Sequence, residues 1–315
     1  MEEKRPLQLD NRIYLIDGFD LGVADRTGSY IITEEKLTIV ETGPSPSIKH
    51  VKKGLEALGY QLTDVAYIVL THIHLDHAGG AGLLIRDCPN AKVVVHPKGK
   101  RHLINPKKLA AGARAVYGES FSDLFDPIVP IEEERLLVKS EGDVLEIGQN
   151  CVLEFWDTPG HAKHHLAIFD PVSNGLFVGD TAGIRYQQLA NREVDFFLPS
   201  TSPNQFEPNK MEESIQRMQA KKLDRLYFGH YSMTEKAEFA LQQVLEWLEV
   251  FMEEGEQVIA EGKGYDELAE RLLERVQRTL RLKGVPDDHE VYILINLDLQ
   301  VSALGIMDYF KKLKQ

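Results

Sequence analysis

Val65–Gly80, VAYIVLTHIHLDHAGG, decides how the rest of this chain is read. Val65 to Leu70 is an apolar run of strand character. It delivers four metal-ligand side chains in quick succession, His72, His74, Asp76 and His77, before Gly79 and Gly80 let the backbone turn away. In an extended segment residues two apart share a face, so His72 and His74 can address one ion. Asp76 and His77, past the strand end, can turn toward a second. A lone histidine at a strand end is ordinarily solvated or hydrogen-bonded to its surroundings. Four ligands in six residues are another matter: with eleven histidines placed at random, an H-x-H-x-D-H string should arise on the order of once in a thousand such chains.

The flanking sequence builds a sheet around this stretch. RIYLIDG, GSYIITEE and KLTIVETG, between Arg12 and Gly43, read as short strands separated by turns. Ile48, Val51, Leu55 and Leu58 then recur at helical spacing and predict a helix ending near Gly59. Beyond Gly80, AGLLIRDCPN fits a helix and AKVVVHPKG a strand that ends on His96. From about 98 to 142 the apolar spacing is irregular, with Pro106, Pro127 and Pro130 and several short helical phrases. This predicts an excursion lying over one edge of the core. Strand patterns resume at Asp143–Ile147 and Cys151–Trp156.

Three further strand ends carry ligand candidates. In DTPGHAKHHLAIFD a tight turn at Thr158-Pro159-Gly160 presents His161; in NGLFVGDTAG a hairpin-like turn at Asn174-Gly175 leads to a strand ending on Asp180; in LDRLYFGHYS an apolar run ends on Gly229 and His230. Met211–Met218 opens a helix after a proline-marked loop, and from Thr234 onward the pattern is helical to the end. The domain reading is a catalytic unit over 1–233 and a helical appendage over 234–315.

Composition bounds the class. The chain has 315 residues, 43% of them hydrophobic, enough for a large globular core. Its formal charge is −13, with the acids dispersed and no basic stripe, which argues against nucleic acid as a partner. Cys88 and Cys151 lack C-x-x-C spacing, so neither a disulfide framework nor a thiolate metal site is expected. MEEKRPLQLD has no signal-peptide core, and no uninterrupted apolar stretch is long enough to span a bilayer. A cytoplasmic location without membrane contact is expected.

Collected, the candidates form two sets. His72, His74 and His161 would hold one ion, Asp76, His77 and His230 a second, and the carboxylate of Asp180 would be shared. At this point the sequence resembles the metallo-β-lactamase superfamily, on THIHLDH (Thr71 to His77), TPGH (Thr158 to His161), GD (Gly179, Asp180) and GH (Gly229, His230). The resemblance covers roughly Arg12 to Met233. It implies an α/β fold, the αββα metallo-β-lactamase sandwich of two mixed sheets flanked by helices, here with a C-terminal helical extension. His74 and Asp180 make the pattern look like the glyoxalase II and lactonase branch rather than the flavodiiron branch, where a Glu usually replaces His74. Acyl-homoserine lactonases typically carry a Tyr three residues after the bridging Asp. That position is Gly183 here, the nearest tyrosine is Tyr186, and only Arg185 offers a basic group for a glutathione-like substrate.

The expected function is a dinuclear metal-dependent hydrolase of a small ester, thioester or lactone. Two divalent ions, zinc foremost and iron or manganese also suited, would hold a bridging hydroxide that Asp76 orients as the catalytic acid–base group. The alternatives are a mononuclear iron persulfide dioxygenase of the same superfamily and a phosphodiesterase, the latter opposed by the acidic charge. A non-catalytic binding module has no use for a complete seven-ligand set. His164 and His165 are expected to support the ligands or the fold, His96 and His102 to cap or line the surface, and His50 and His289 to sit on helix surfaces. Tyr231 could lend its hydroxyl to substrate. The C-terminal helices would complete the core, form a homodimer contact, or act as a lid over a small-molecule pocket.

Overall fold

The structure, a computed structural model, describes residues 4–314, so the first three letters of the charged N-terminal reading lie outside the described residues. The chain divides into two compact units. One comprises the chain up to Asp157 with His164–Gly179 and Asp224–Glu235; the other comprises Thr158–Lys163, Asp180–Leu223 and the chain from Lys236 onward.

The first unit is a sandwich of two mixed sheets. Its seven-stranded sheet runs in chain order: β1 (Leu7–Gln8), β2 (Ile13–Asp17), β3 (Gly28–Ile32), β4 (Leu37–Val40), β5 (Val65–Val69), β6 (Lys92–Val95) and β7 (Leu136–Val138). β1 to β4 pair antiparallel and β4 to β7 parallel. The parallel half requires crossovers, and α1 (Ile48–Ala57), α2 (Leu75–Ala78), α3 (Ala81–Asp87) and the later helices of this half supply them. The six-stranded sheet contains β8 (Val144–Gly148), β9 (Cys151–Asp157), β10 (Leu166–Asp170) and β11 (Gly175–Gly179). After the ladder β12 (Ile184–Arg185) and β13 (Phe197–Leu198) of the other unit, it is completed by β14 (Arg225–Phe228) and β15 (Met233–Thr234). Only β11 and β14 pair parallel in it.

Side-chain alternation builds the two layers. Ile31, Ile39, Ile68 and Val93 face Ile48, Val51, Leu55 and Leu84 of the helices, while Tyr30, Val40, Val69 and Val94 point the other way and meet Leu153, Phe155, Ile168 and Phe177 of the second sheet. Burying both faces explains why β3 to β6 read as near-continuous Val and Ile runs. In the core, Arg12 forms a buried ion pair with Asp170, and Cys151 lies between them at 3.8 and 3.7 Å. Burial pushes the Cys151 thiol up to about 12 and the Cys88 thiol up to about 11, so both free cysteines are inert packing groups.

The short helical phrases expected after Lys98 are α4 (Pro97–Ile104), α5 (Lys107–Tyr117) and α6 (Phe121–Phe125). The apolar residues of this stretch are sparse because they serve a small separate core of Phe121, Phe125, Leu109 and Tyr117, packed on Leu75 between two ligand candidates. The expected hairpin-like turn joins β10 and β11 at Asn174, with Asp170 pairing with Gly175 across it. One expectation is corrected: His289 lies not on a helix surface but in the turn ahead of the last helix, where Nδ1 accepts the Val291 N–H at 3.2 Å.

The second unit carries α7 (Pro208–Lys221), α8 (Ala237–Ala260), α9 (Tyr265–Leu282) and α10 (Val291–Leu313), with α8 packed against α7, α9 and α10. The apolar stripe of α9, Leu268, Leu272, Val276 and Leu280, is wholly buried, as a four-residue spacing along one helix face requires. The Gln243 side chain accepts the Phe197 N–H at 2.7 Å and ties β13 to α8. By length and composition α10 is long and apolar enough to cross a bilayer, and most of its apolar stretch is buried. Asp298, which interrupts the run, accepts a hydrogen bond from Tyr186 Oη at 3.0 Å.

Candidate metal centre

Five of the seven expected ligands belong to the first unit. β5 ends at Val69, and the backbone leaves the sheet tied on both sides: Leu70 N–H donates to Val94 O at 3.0 Å and Thr71 N–H to the Glu41 carboxylate at 2.7 Å. His72 and His74 follow in extended chain with ring centroids 4.7 Å apart. α2 then turns Asp76 and His77 over, and the strap Glu41–Ser45 holds that turn. Thr42 N–H and Oγ1 both donate to His77 O at 2.9 Å, Gly80 N–H donates to Gly43 O at 2.9 Å, and Ser45 Oγ donates to Gly79 O at 3.0 Å. His230 arrives from the turn between β14 and β15.

Asp76, His77 and His230 offer ligand atoms within 4.8 Å of one another, and the same spacing holds for the pairs His72–His74 and His72–His77. The Asp76 carboxylate lies 3.4 Å from His77 Nε2 and 3.6 Å from His230 Nε2. His72, His77 and His230 are buried, and Asp76 keeps 23% of its side chain exposed, the one opening to solvent in this set. Gly179, with φ 47°, must be glycine: an added Cβ would stand 2.6 Å from Thr71 Oγ1 and 2.4 Å from His165 Nε2.

The second unit carries His161 and Asp180. The turn before His161 is fixed from three sides. Thr181 Oγ1 donates to Thr158 O at 2.8 Å, Ser214 Oγ to Pro159 O at 2.7 Å and Glu207 N–H to Gly160 O at 2.8 Å. Gly160 has φ 135° and runs so close to α7 that a Cβ would meet Met211 Cα at 2.3 Å. His161 Nε2 lies 3.7 Å from the Asp180 carboxylate, to which Ser200 Oγ donates at 3.1 Å.

The donor set fits divalent metal. Nδ1 of His72 meets Thr71 Oγ1 at 3.0 Å, Nδ1 of His77 meets the Glu41 carboxylate at 2.8 Å, and Nδ1 of His161 meets the Ser200 carbonyl at 2.9 Å. The oxygens of Glu41 and Ser200 can only accept, so Nδ1 carries the proton and Nε2 presents its lone pair. This is the tautomer and aim a metal ligand needs. His74, the N-cap of α2, is boxed by rings: His72 on one side and His164 edge-on at 5.5 Å. His165 stacks on His72 at 5.1 Å. A further acid lies in the loop after β2. Asp20 is buried beside Arg26 at 3.4 Å, and burial pushes its carboxyl up to about 6, with Asp76 adding to the rise and Arg26, His230 and His77 opposing it.

Some residues singled out in the sequence serve other ends. His96 caps α4, its Nδ1 accepting the Lys98 N–H at 3.0 Å while Nε2 lies 3.3 Å from Asp157. The Tyr231 ring is core, with the Lys4 ammonium 5.1 Å from its centroid, and burial raises its hydroxyl above the usual phenol range. Glu41, Asp20 and Ser200 were missed. Glu41 ends a strand, as the ligands do, and the rule that found them would have found it. Ser200 supplies a backbone carbonyl, for which sequence carries no signal.

The model of the metallo-beta-lactamase superfamily matches residues 24–230. The chain belongs to that superfamily. Among curated relatives, a metallo-beta-lactamase fold-containing protein of Sulfurisphaera tokodaii is 29% identical over 178 residues, 55% of this chain and 61% of that protein. An N-acyl homoserine lactonase of Rhizobium radiobacter is 28% identical over 149 residues, 47% of this chain and 52% of the lactonase. This superfamily member thus spans about half to three-fifths of the length of those relatives. Among solved structures, an archaeal metallo-beta-lactamase superfamily protein from Sulfolobus tokodaii matches with a TM-score of 0.65 at 20% identity, over 94% of this chain and 98% of that one. That likeness is one of fold. It agrees with the two mixed sheets, the helices and the C-terminal helices described above.

Proposed function

We propose that this superfamily member is a dinuclear metal-dependent hydrolase of a small ester, thioester or lactone. The observation that carries the reading is the Asp76–His77–His230 set, whose ligand atoms lie within 4.8 Å of one another, with His72 and His74 next to it. Two ligand sets are what a dinuclear centre requires. In this proposal His72 and His74 serve one ion, and Asp76, His77 and His230 the other. Bound there, two divalent ions would supply Lewis acidity and bring a water's pKa toward neutrality.

The chain's own groups do the rest. Asp76, partly exposed among buried imidazoles, is the group able to take and release a proton next to a substrate. Glu41 and Ser200 hold His77 and His161 in the ligating tautomer, so these histidines act as ligands and not as bases. The lactonase relative supports an acyl–oxygen bond as the target, and the glyoxalase II resemblance extends the class to thioesters. The proposal also includes a small-molecule substrate and a cytoplasmic location, which the two buried free thiols support.

A panel of small esters, thioesters and lactones, assayed with the purified protein before and after chelation and after zinc or manganese is restored, tests the reading. Turnover of at least one class is expected, lost on chelation and recovered with metal. Oxygen uptake with a persulfide, and no hydrolysis of any class, would replace the hydrolase with the dioxygenase.

A further inference from the structure

His230 stands on an improbable turn. Tyr231 and Ser232, directly after it, have φ of 67° and 65°, the left-handed region that non-glycine residues rarely occupy and that here falls on two in succession. Something outside the turn must hold it. At its neck Phe228 N–H donates to Ser232 O at 2.9 Å, and the hydroxyl of Tyr30, from β3 of the opposite sheet, sits 2.6 Å from both Phe228 O and Ser232 O. One hydroxyl proton is thus shared between the two carbonyls that close the loop.

The Tyr30 ring cannot move to release them. It is 1% exposed, edge-on to Phe177 at 5.2 Å and to Tyr227 at 5.7 Å, in the middle of the sandwich. The outer side of the turn is pinned as well: Tyr231 packs under the Lys4 ammonium, and Lys4 bonds Asp17 at 3.1 Å and also Asp25. Neither Asp17, Asp25, Lys4 nor Tyr30 is among the ligands.

We infer that Tyr30 is a positioning residue for the metal centre: by clamping the carbonyls of Phe228 and Ser232 it holds His230 in the pose that completes the Asp76–His77–His230 set before any ion arrives. Without the clamp the turn relaxes toward commoner backbone angles, and an ion must draw His230 back. Its affinity falls by the fraction of molecules that keep the pose. The ion of the other set, on His72 and His74, is not expected to notice.

The inference rests on the dinuclear reading, and the test separates the two. Metal-free wild type and Tyr30→Phe are titrated with Co(II), following visible absorption and calorimetry, and thermal unfolding of each metal-free protein is recorded. Tyr30→Phe keeps the ring and its packing and loses the hydroxyl alone. Wild type should take up two ions. The variant should bind the first unchanged and the second about tenfold more weakly, with an altered spectrum for that ion. Phe177→Leu, which loosens the same core and spares the hydroxyl, controls for stability. Equal affinity for both ions in Tyr30→Phe would overturn the inference, and so would an equal loss of the second ion in Phe177→Leu. A wild type that binds only one ion would instead remove the dinuclear reading and the inference with it.

Discussion

Asp76→Asn is expected to lower kcat/KM for the substrate class found in the hydrolysis screen by about two to four orders of magnitude, with little change in thermal stability. The carboxylate sits between two imidazole Nε2 atoms, at 3.4 and 3.6 Å, on a short helix whose backbone is held by the Thr42 and Gly80 hydrogen bonds and not by its own side chain. Replacing it by the isosteric amide therefore leaves the scaffold in place. What is lost is a negative charge that helps hold a cation and a base that can carry a proton. The sum is about 3 to 5 kcal/mol of transition-state stabilisation at 1.36 kcal/mol per decade. Because the side chain is partly exposed, removing the charge relieves no buried unpaired group, and the unfolding transition should move by only a degree or two. A variant with kcat/KM within threefold of wild type would remove Asp76 from the catalytic role.

Glu41→Gln should act just as specifically, through metal. Glu41 is 2% exposed and accepts two hydrogen bonds, from Thr71 N–H at 2.7 Å and from His77 Nδ1 at 2.8 Å. A carboxylate can accept both; an amide can accept one and must turn its NH2 toward the other. The Thr71 amide cannot change, so the mismatch falls on His77, whose Nδ1 becomes an acceptor only if the proton moves to Nε2. That is the atom facing Asp76. The expected result is a second-ion affinity reduced roughly 10- to 100-fold, together with a stability loss of about 1–3 kcal/mol from the strained buried pair. Metal titration and denaturant unfolding on the same preparation separate the two effects. Second-ion affinity within threefold of wild type would show that Glu41 does not set the His77 tautomer.

Much of this architecture could be read from letters because the sandwich buries both faces of its central strands. A run such as Val65–Val69 or Lys92–Val95 then announces itself by β-branched residues alone, and ligands clustered at the strand ends stand out against it. The short ladder of Ile184–Arg185 with Phe197–Leu198 left no such pattern, since two-residue strands have no periodicity to detect. The helices of the 97–125 stretch showed only as short, irregular phrases because they pack on Leu75 and a few aromatics rather than on the main core. The centre divides the same way. Ligands declare themselves by residue type, whereas the groups that aim them do so by position: Glu41 across the sheet from Thr71, Tyr30 beneath the His230 turn, and the Ser200 carbonyl beside His161. Each is brought into place by tertiary packing, and their spacing in sequence, from 30 to 198 residues, hides the relation.

The central claim is that the chain holds two ions in two separable sets. Metal content per chain, measured by elemental analysis on protein purified without added metal, tests it most directly when His77→Ala is measured in parallel. The account predicts about two ions per wild-type chain and about one in the variant, because His77 belongs to only one set. One ion per chain in wild type, unchanged in His77→Ala, would contradict it.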